Sequence, residues 1–257
     1  MIRLERPELG IALVTFDRPE ARNALTFAMW EQLRAYAVEL DADDDLRCVV
    51  FAGAGEAAFV SGTDIGEFTK FSSGEDGIAY EARVEAVIGA LSHLRVPAIA
   101  AIRGACTGGG ASIAGACDVR IGGPGTRVGI PIARTLGNTL SLRNIARLAA
   151  LIGLDAARAL LLTGKLLAAP DAYRLGFLSE VVASDDAILP RALEAARAIA
   201  LLAPLTVRAS KAMTVRLSEV PKLPDDADWL RACYGSNDFR EGVAAFVARR
   251  SPKWTGT

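Results

Sequence analysis

Pro97-Ala-Ile-Ala-Ala-Ile-Arg-Gly-Ala-Cys-Thr-Gly-Gly-Gly-Ala-Ser-Ile-Ala-Gly-Ala-Cys-Asp118 is the stretch that decides the fold. Ala98 to Ile102 is apolar throughout, the pattern of a strand buried on both faces. Gly104 to Gly110 makes a loop, and the small residues after it suit a helix. Gly108, Gly109 and Gly110 in succession weaken a helix by about 1 kcal/mol each. Such a cost implies close approach of the backbone to a ligand or to a packed neighbour. Residues 48–70 repeat the order: an apolar strand from Cys48 to Ala52, a Gly/Ala-rich loop, and a helix opening at Asp64. In Phe59 to Phe68, Gly62 permits an unusual backbone and Asp64 can cap the helix. Alternating strand and helix favours a largely parallel, layered α/β fold. Two such units bring two loop-to-helix junctions side by side. Free N–H groups at a helix start carry partial positive charge and suit an anion or a developing oxyanion. Taken singly, each run also fits a capped helix start or a tight packing site.

Outward from these units, segments 2–6 and 10–16 read as strands joined by a Pro-Glu-Leu-Gly turn. Leu25, Met29, Leu33, Tyr36 and Leu40 recur at helical spacing and predict an amphipathic helix over 24–40, ending in the acidic run Asp41 to Asp45. A further helix is predicted over 77–93. Arg120-Ile121 and Arg127-Val128 are short strand pieces around a Gly-Gly-Pro-Gly turn. Beyond residue 137 the pattern is helical, apart from a strand at Leu178 to Val182, with Pro204, Pro221 and Pro224 punctuating the C-terminal helices. The chain thus divides into an α/β core, 1–200, and a helical tail, 201–257, with no low-complexity linker between them.

Composition removes several classes of function. The 257 residues are 51% apolar, enough for one large domain or a domain with an appendage. Against 30 acidic residues stand 29 basic ones, net charge −1. No general attraction to nucleic acid or to an anionic membrane follows, so an anionic ligand must be held by local groups. No run approaches the roughly 18 apolar residues of a membrane-spanning helix, and the charged start MIRLERPELG is not expected to be a secretory signal. Cys48, Cys106, Cys117 and Cys233 lie far apart, as reduced thiols of a cytoplasmic protein do, and no metal site is expected. The single histidine, His93, is expected to pack at a helix end rather than serve as a triad base. Gly53-Ala-Gly55 imitates a dinucleotide fingerprint but runs into Phe59-Val-Ser-Gly62 instead of a helix.

Taken together, the two Gly-rich runs resemble the crotonase (enoyl-CoA hydratase/isomerase) superfamily. Phe59 to Phe68 matches its F-x-x-G-x-D-I/L-x-x-F/M, and Gly104 to Asp118 its G-x-x-x-G-G-G-x-x-I/L-x-x-x-C-D. Asp17 to Leu25 is similar to N-R-P-x-x-x-N-A-L. Leu162 to Gly164, Ala169 to Gly176 and Val181-Val182 follow the family's L-T-G stretch, and Phe239 to Trp254 its closing segment. The resemblance covers nearly the whole chain. It implies a ββα spiral core with a C-terminal helical trimerisation region, assembled as a homotrimer or a hexamer built from two trimers. It implies an acyl-CoA substrate, coenzyme A entering only as part of that substrate, and no permanently bound cofactor. The oxyanion N–H groups map to Thr63 and Gly109, and the coenzyme A site to Arg22, Ala24, Ser61, Thr63, Asp64, Ile65 and Gly66. An enolate-like thioester held by two preset donors is stabilised by roughly 3 kcal/mol per donor in comparable sites.

The sequence departs from the family where hydratases carry two catalytic glutamates, which here become Ser112 and Ile132. Residues 119–154 contain no Asp or Glu. The nearest description is an acyl-CoA-transforming lyase or isomerase of the enoyl-CoA hydratase/isomerase kind. A decarboxylase, a thioesterase, a double-bond isomerase or a non-catalytic acyl-CoA-binding subunit are alternatives. Arg134 is a candidate partner for a substrate carboxylate; Glu67, Asn138, Asn144, Tyr234 and Lys211 are candidates for contact with the pocket. Asp118 reads as structural, and the basic residues of 247–254 as solvated or facing phosphates.

Overall fold

In the computed structural model, which describes residues 1–218 and 227–257, each apolar run becomes a strand. β1 (Ile2–Glu8) and β2 (Ile11–Phe16) form an antiparallel hairpin, followed by helix α1 (Phe27–Ala42). Three ββα units come next. The first is β3 (Cys48–Gly53), β4 (Ala58–Val60) and a 3-10 helix, Ile65–Lys70, with α2 (Gly74–Ser92) leading onward. The second is β5 (Ala98–Ile102), β6 (Ala105–Thr107) and α3 (Gly109–Ala116). The third is β7 (Val119–Gly122), β8 (Arg127–Gly129) and the single turn α4 (Ile132–Thr135). Each unit advances one strand in each of two sheets: β3, β5 and β7 pair in parallel in the larger, β4, β6 and β8 in the smaller. That stepping is the ββα spiral. Two short strands, β9 (Leu167–Ala168) and β10 (Glu180–Val181), complete the orders β4-β6-β8-β9 and β1-β2-β3-β5-β7-β10.

The helices after α4 are α5 (Leu142–Ile152), α6 (Leu154–Thr163), α7 (Ala169–Arg174), α8 (Ile188–Ala200), α9 (Pro204–Ser218), α10 (Ala227–Tyr234) and α11 (Asn237–Val247). Of the predicted punctuation, Pro204 opens α9, while Pro221 and Pro224 lie outside the described residues. The alternation of strand side chains explains the unbroken apolar runs. Val49, Phe51, Ala98 and Ala100 face the main core, while Val50, Ala52, Ile99 and Ala101 face α8 through Ile188, Ala192 and Ala196.

Two helix starts differ from the pattern, both at the future site. The helix predicted from residue 24 begins at Phe27, because Leu25 is drawn into a bridge with Thr63 and Thr26 becomes the cap, its hydroxyl accepting from the Met29 N–H at 3.2 Å. The helix predicted to open at Asp64 is a short 3-10 segment, with Asp64 accepting from the Gly66 N–H at 2.9 Å. At the other end of the chain, α10 folds back onto α2, and α11 onto the 3-10 segment Ile65–Lys70. A Cβ on Gly77 would lie 2.1 Å from the Tyr234 ring, and a Cβ on Gly74 2.3 Å from the Arg231 Cα, so α10 crosses α2 almost backbone to backbone. Phe68 against Tyr80, and Tyr234 against Phe239, have ring centroids 5.0 Å apart and fill the space between.

Candidate active site

The bridge between Leu25 and Thr63 aims the first amide. The Leu25 N–H donates to Gly62 O at 2.8 Å, and the Asp64 N–H donates to Leu25 O at 2.8 Å. Successive N–H groups of extended backbone point to opposite edges, so the Thr63 N–H turns away from Leu25. The two loops lie close together here: a Cβ on Gly62 would lie 3.9 Å from the Gly109 nitrogen. Gly108 adopts φ +54°, donates its N–H to Gly129 O at 3.0 Å and accepts from the Ser112 N–H at 3.1 Å, which leaves Gly109 as the first residue of α3. Among the described residues, neither the Thr63 nor the Gly109 N–H meets a hydrogen-bond acceptor. The remaining glycines answer to packing. A Cβ at position 109 would come within 2.8 Å of the Trp30 ring, and one at 110 within 2.1 Å of Val60 O. The sequence left ligand approach and tight packing open for this triplet; the structure puts packing at 109 and 110 and a free amide at 109. Thr63 also corrects the expectation of two helix starts, since its amide is freed by a β-bridge and only that of Gly109 by a helix.

Thr63 and Gly109 both line a cavity of about 700 Å³. Its lining includes exposed Glu20, Arg22 and Arg249 at the rim, half-buried Ser61, Asp64, Ile132 and Leu140, and buried Phe68, Tyr80, Glu81 and Leu136. Glu81 is 3% exposed. Its Oε1 accepts from the Tyr234 hydroxyl at 2.9 Å and its Oε2 from the Ser141 N–H at 2.8 Å. Burial pushes this carboxyl up to about 7, against the partial offset of the hydrogen bonds from Ser141 and Tyr234. The Asn138 side-chain N–H donates to Tyr234 Oη at 3.0 Å. Its Oδ1 is buried, with no donor among the described residues. A carboxyl raised toward neutral pH and two N–H groups without acceptors, lining one cavity, are the parts needed to move a proton next to a polarised carbonyl.

Of the residues singled out in the sequence, Arg22, Ala24, Ser61, Thr63, Asp64, Ile65, Gly109, Ile132 and Asn138 line this cavity. Gly66 does not, its N–H being held by Asp64. Ser112 faces a separate small void behind α3, with Asn144 and Leu148. Arg134 is exposed and lies against Gly164, off the cavity wall. Glu67 also lies off the wall and accepts from the Phe27 N–H at 3.2 Å. Asp118 and Lys211 pair at 2.8 Å, and Lys211 also donates to Val96 O at 2.9 Å, tying α9 to the spiral. Tyr234 reaches the site through Glu81 of its own chain. His93 ends α2, its Nδ1 2.8 Å from Gly89 O. Of the basic close, Arg249 stands at the rim, while Arg250 pairs with Glu241 at 2.5 Å. Glu81 itself escaped the sequence reading. Its signal was there: Gly77, Tyr80, Glu81, Val84, Ile88 and Leu91 form the buried stripe of α2, and only Glu81 among them is charged.

Known proteins share this arrangement of elements. The family model described as enoyl-CoA hydratase/isomerase matches residues 6–257. The probable enoyl-CoA hydratase echA8 of Mycobacterium tuberculosis is 32% identical over 257 residues, covering 99% of this chain and 97% of that protein. An enoyl-CoA hydratase/carnithine racemase from Magnetospirillum magneticum superposes with TM-score 0.81 at 33% identity, over 100% of this chain and 96% of the other. A monofunctional enoyl CoA isomerase from M. smegmatis does so with TM-score 0.71 at 30% identity, over 86% and 95%. A ββα spiral carrying two free amides over one cavity, matched from end to end by these relatives, places the chain in the enoyl-CoA hydratase/isomerase family.

Proposed function

We propose that this protein shifts the double bond of an enoyl-CoA thioester, with Glu81 as the proton carrier and the Thr63 and Gly109 amides as the oxyanion hole. The observation that carries this reading is a buried carboxyl, held near 7, on the wall of the cavity that Thr63 and Gly109 also line. The carboxylate takes a proton from the α carbon, and the electron pair delocalises onto the thioester oxygen, where the two N–H groups receive it. Protonated Glu81 then returns the proton to the γ carbon, and the double bond moves from the β–γ to the α–β position. One carboxylate does both transfers and no water is consumed. Hydration needs a second group to activate water, and the two aligned positions offer none: Ser112 lies behind α3 and Ile132 is apolar. Coenzyme A enters over the rim, where Arg22 and Arg249 suit its phosphates. The exposed apolar residues Leu205, Met213 and Leu217 of α9 support assembly through the C-terminal helices, as a trimer or a pair of trimers.

The test is a panel of thioesters. A 3-enoyl-CoA should become conjugated, seen in the ultraviolet absorbance of the product, while a 2-enoyl-CoA is hydrated far more slowly. Faster hydration of the 2-enoyl-CoA, or turnover confined to a malonyl-type thioester, would overturn the isomerase reading. The oxyanion hole has its own test. A side chain at Gly109 strikes Trp30, so proline there confounds packing with the loss of the donor. Replacing residue 109 by its α-hydroxy acid removes only the N–H, and kcat should fall by about 10² to 10³. An ester variant with unchanged kcat would end the proposal.

A further inference from the structure

Thr63 and Gly109 sit in different ββα units, so neither loop alone fixes the distance between their N–H groups. Trp30, in the first turn of α1, touches both. Its indole Nε1–H donates to Thr63 Oγ1 at 3.1 Å. The far edge of its ring faces Gly109, where a Cβ would lie 2.8 Å from Cζ2 and 3.3 Å from Cη2. The same Cβ position is 3.7 Å from Thr63 Oγ1. Tyr80 closes the set from α2, its hydroxyl 2.7 Å from Thr63 Oγ1. Trp30 and Tyr80 are both buried, and Leu25, just ahead of α1, bridges to Thr63 from the other side.

From this geometry we infer that Trp30 is a positioning residue: one side chain sets the separation of the two oxyanion amides, by hydrogen bond to one loop and by ring contact to the other. The inference rests on the oxyanion reading above. An indole N–H only donates, so the Thr63 hydroxyl must accept it and is thereby oriented. A hydroxyl gripped from two helices cannot swing, and its own backbone N–H is held with it. An amide displaced by about 1 Å loses about a hundredfold in rate while the rest of the binding surface stays intact.

The experiment uses the full-length protein, a 3-enoyl-CoA for turnover, and butyryl-CoA labelled at the carbonyl carbon for infrared difference spectra of the bound thioester. In the wild type the bound carbonyl stretch should move to lower wavenumber than in water. Trp30→Phe removes the N–H together with the Cζ2–Cη2 edge that faces Gly109; Thr63→Val removes the hydroxyl and keeps the shape. Each should lower kcat about 10- to 100-fold with KM within about threefold, and each should reverse much of the carbonyl shift. The double variant should lose clearly less than the product of the two single losses, because both break the Trp30–Thr63 bond. Thr63→Ser should restore kcat and the shift. Equal carbonyl shifts in wild type and variants, multiplicative losses in the double variant, or a fall confined to KM would overturn the inference. Should Trp30→Phe fail to fold, Thr63→Val against Thr63→Ser decides the same question. The ester variant at 109 separates the two levels: if it keeps the full carbonyl shift, the oxyanion hole fails; if it loses the shift while Trp30→Phe keeps it, only the positioning role fails.

Discussion

Replacing Glu81 by Gln separates the chemistry of the site from its stability, and the two should move in opposite directions. The substitution keeps shape and hydrogen bonding: the new amide oxygen can accept from the Ser141 N–H, and the new N–H₂ can donate to the Tyr234 oxygen. What disappears is the charge. The carboxyl stands at about 7 in the fold against an ordinary 4.5, a gap worth about 3 kcal/mol at roughly 1.4 kcal/mol per pH unit. The sign follows from the raised value. The fold favours the protonated form, so this contribution is fully present below about 4.5 and is lost as pH rises through about 7. Glu81→Gln has no proton to lose. Its stability relative to wild type should therefore climb by about 3 kcal/mol between pH 4.5 and pH 8, measured by urea unfolding followed through tryptophan fluorescence. Isomerisation should fall by about 10² to 10⁴ over the same range, the usual loss when a positioned base is removed. Wild-type kcat/KM should in turn decline as pH falls below about 7, since only the carboxylate accepts a proton. A variant within about fivefold of wild type in kcat would show that another group carries the proton. Parallel stability curves for the two proteins would show that Glu81 does not titrate as its burial requires.

Three other perturbations have definite outcomes. Ser112→Ala and Arg134→Ala should each leave kcat/KM within about twofold, because neither side chain lines the cavity; a larger loss would reopen their roles. Asn23→Ala should cost about 2–4 kcal/mol in a urea titration, since its side chain donates to Ala54 O at 2.9 Å and to Ala58 O at 2.7 Å and accepts from the Arg18 N–H at 2.9 Å, and apolar replacement leaves all three unmet. Lys211→Met should lower stability by about 2 kcal/mol, less than the roughly 3–5 of a fully buried pair because the Asp118 side chain is 31% exposed, and kcat in the surviving folded protein should be unchanged.

The repeat at 48–70 and 97–118 was legible because a spiral of like units must reuse one pattern: apolar strand, small-residue loop, helical segment. What the pattern could not convey was how each amide is freed. Gly109 loses its intrahelical partner by standing first in a helix, a local fact carried by the glycine triplet. Thr63 owes its free N–H to Leu25, distant in sequence, and no periodicity around Thr63 signals that bridge. The same division explains the carboxylate. The positions where hydratases keep an acid hold Ser112 and Ile132 here, and neither can act as a base. Yet a charged residue on the buried stripe of an amphipathic helix is a physical anomaly that needs no relative to expose it. Burying a lone carboxylate costs several kcal/mol unless it is hydrogen-bonded or held protonated. Glu81 is hydrogen-bonded by Tyr234 and Ser141, which converge from α10 and from the cap of α5, while its burial favours the protonated form. Tyr234 lies in the helical tail, where the sequence offers it as a candidate for the pocket; Ser141 lies in a stretch that reads only as helical. A position that a core would fill more cheaply with leucine is therefore held as an acid by groups from two other elements, on the wall of the cavity that Thr63 and Gly109 also line.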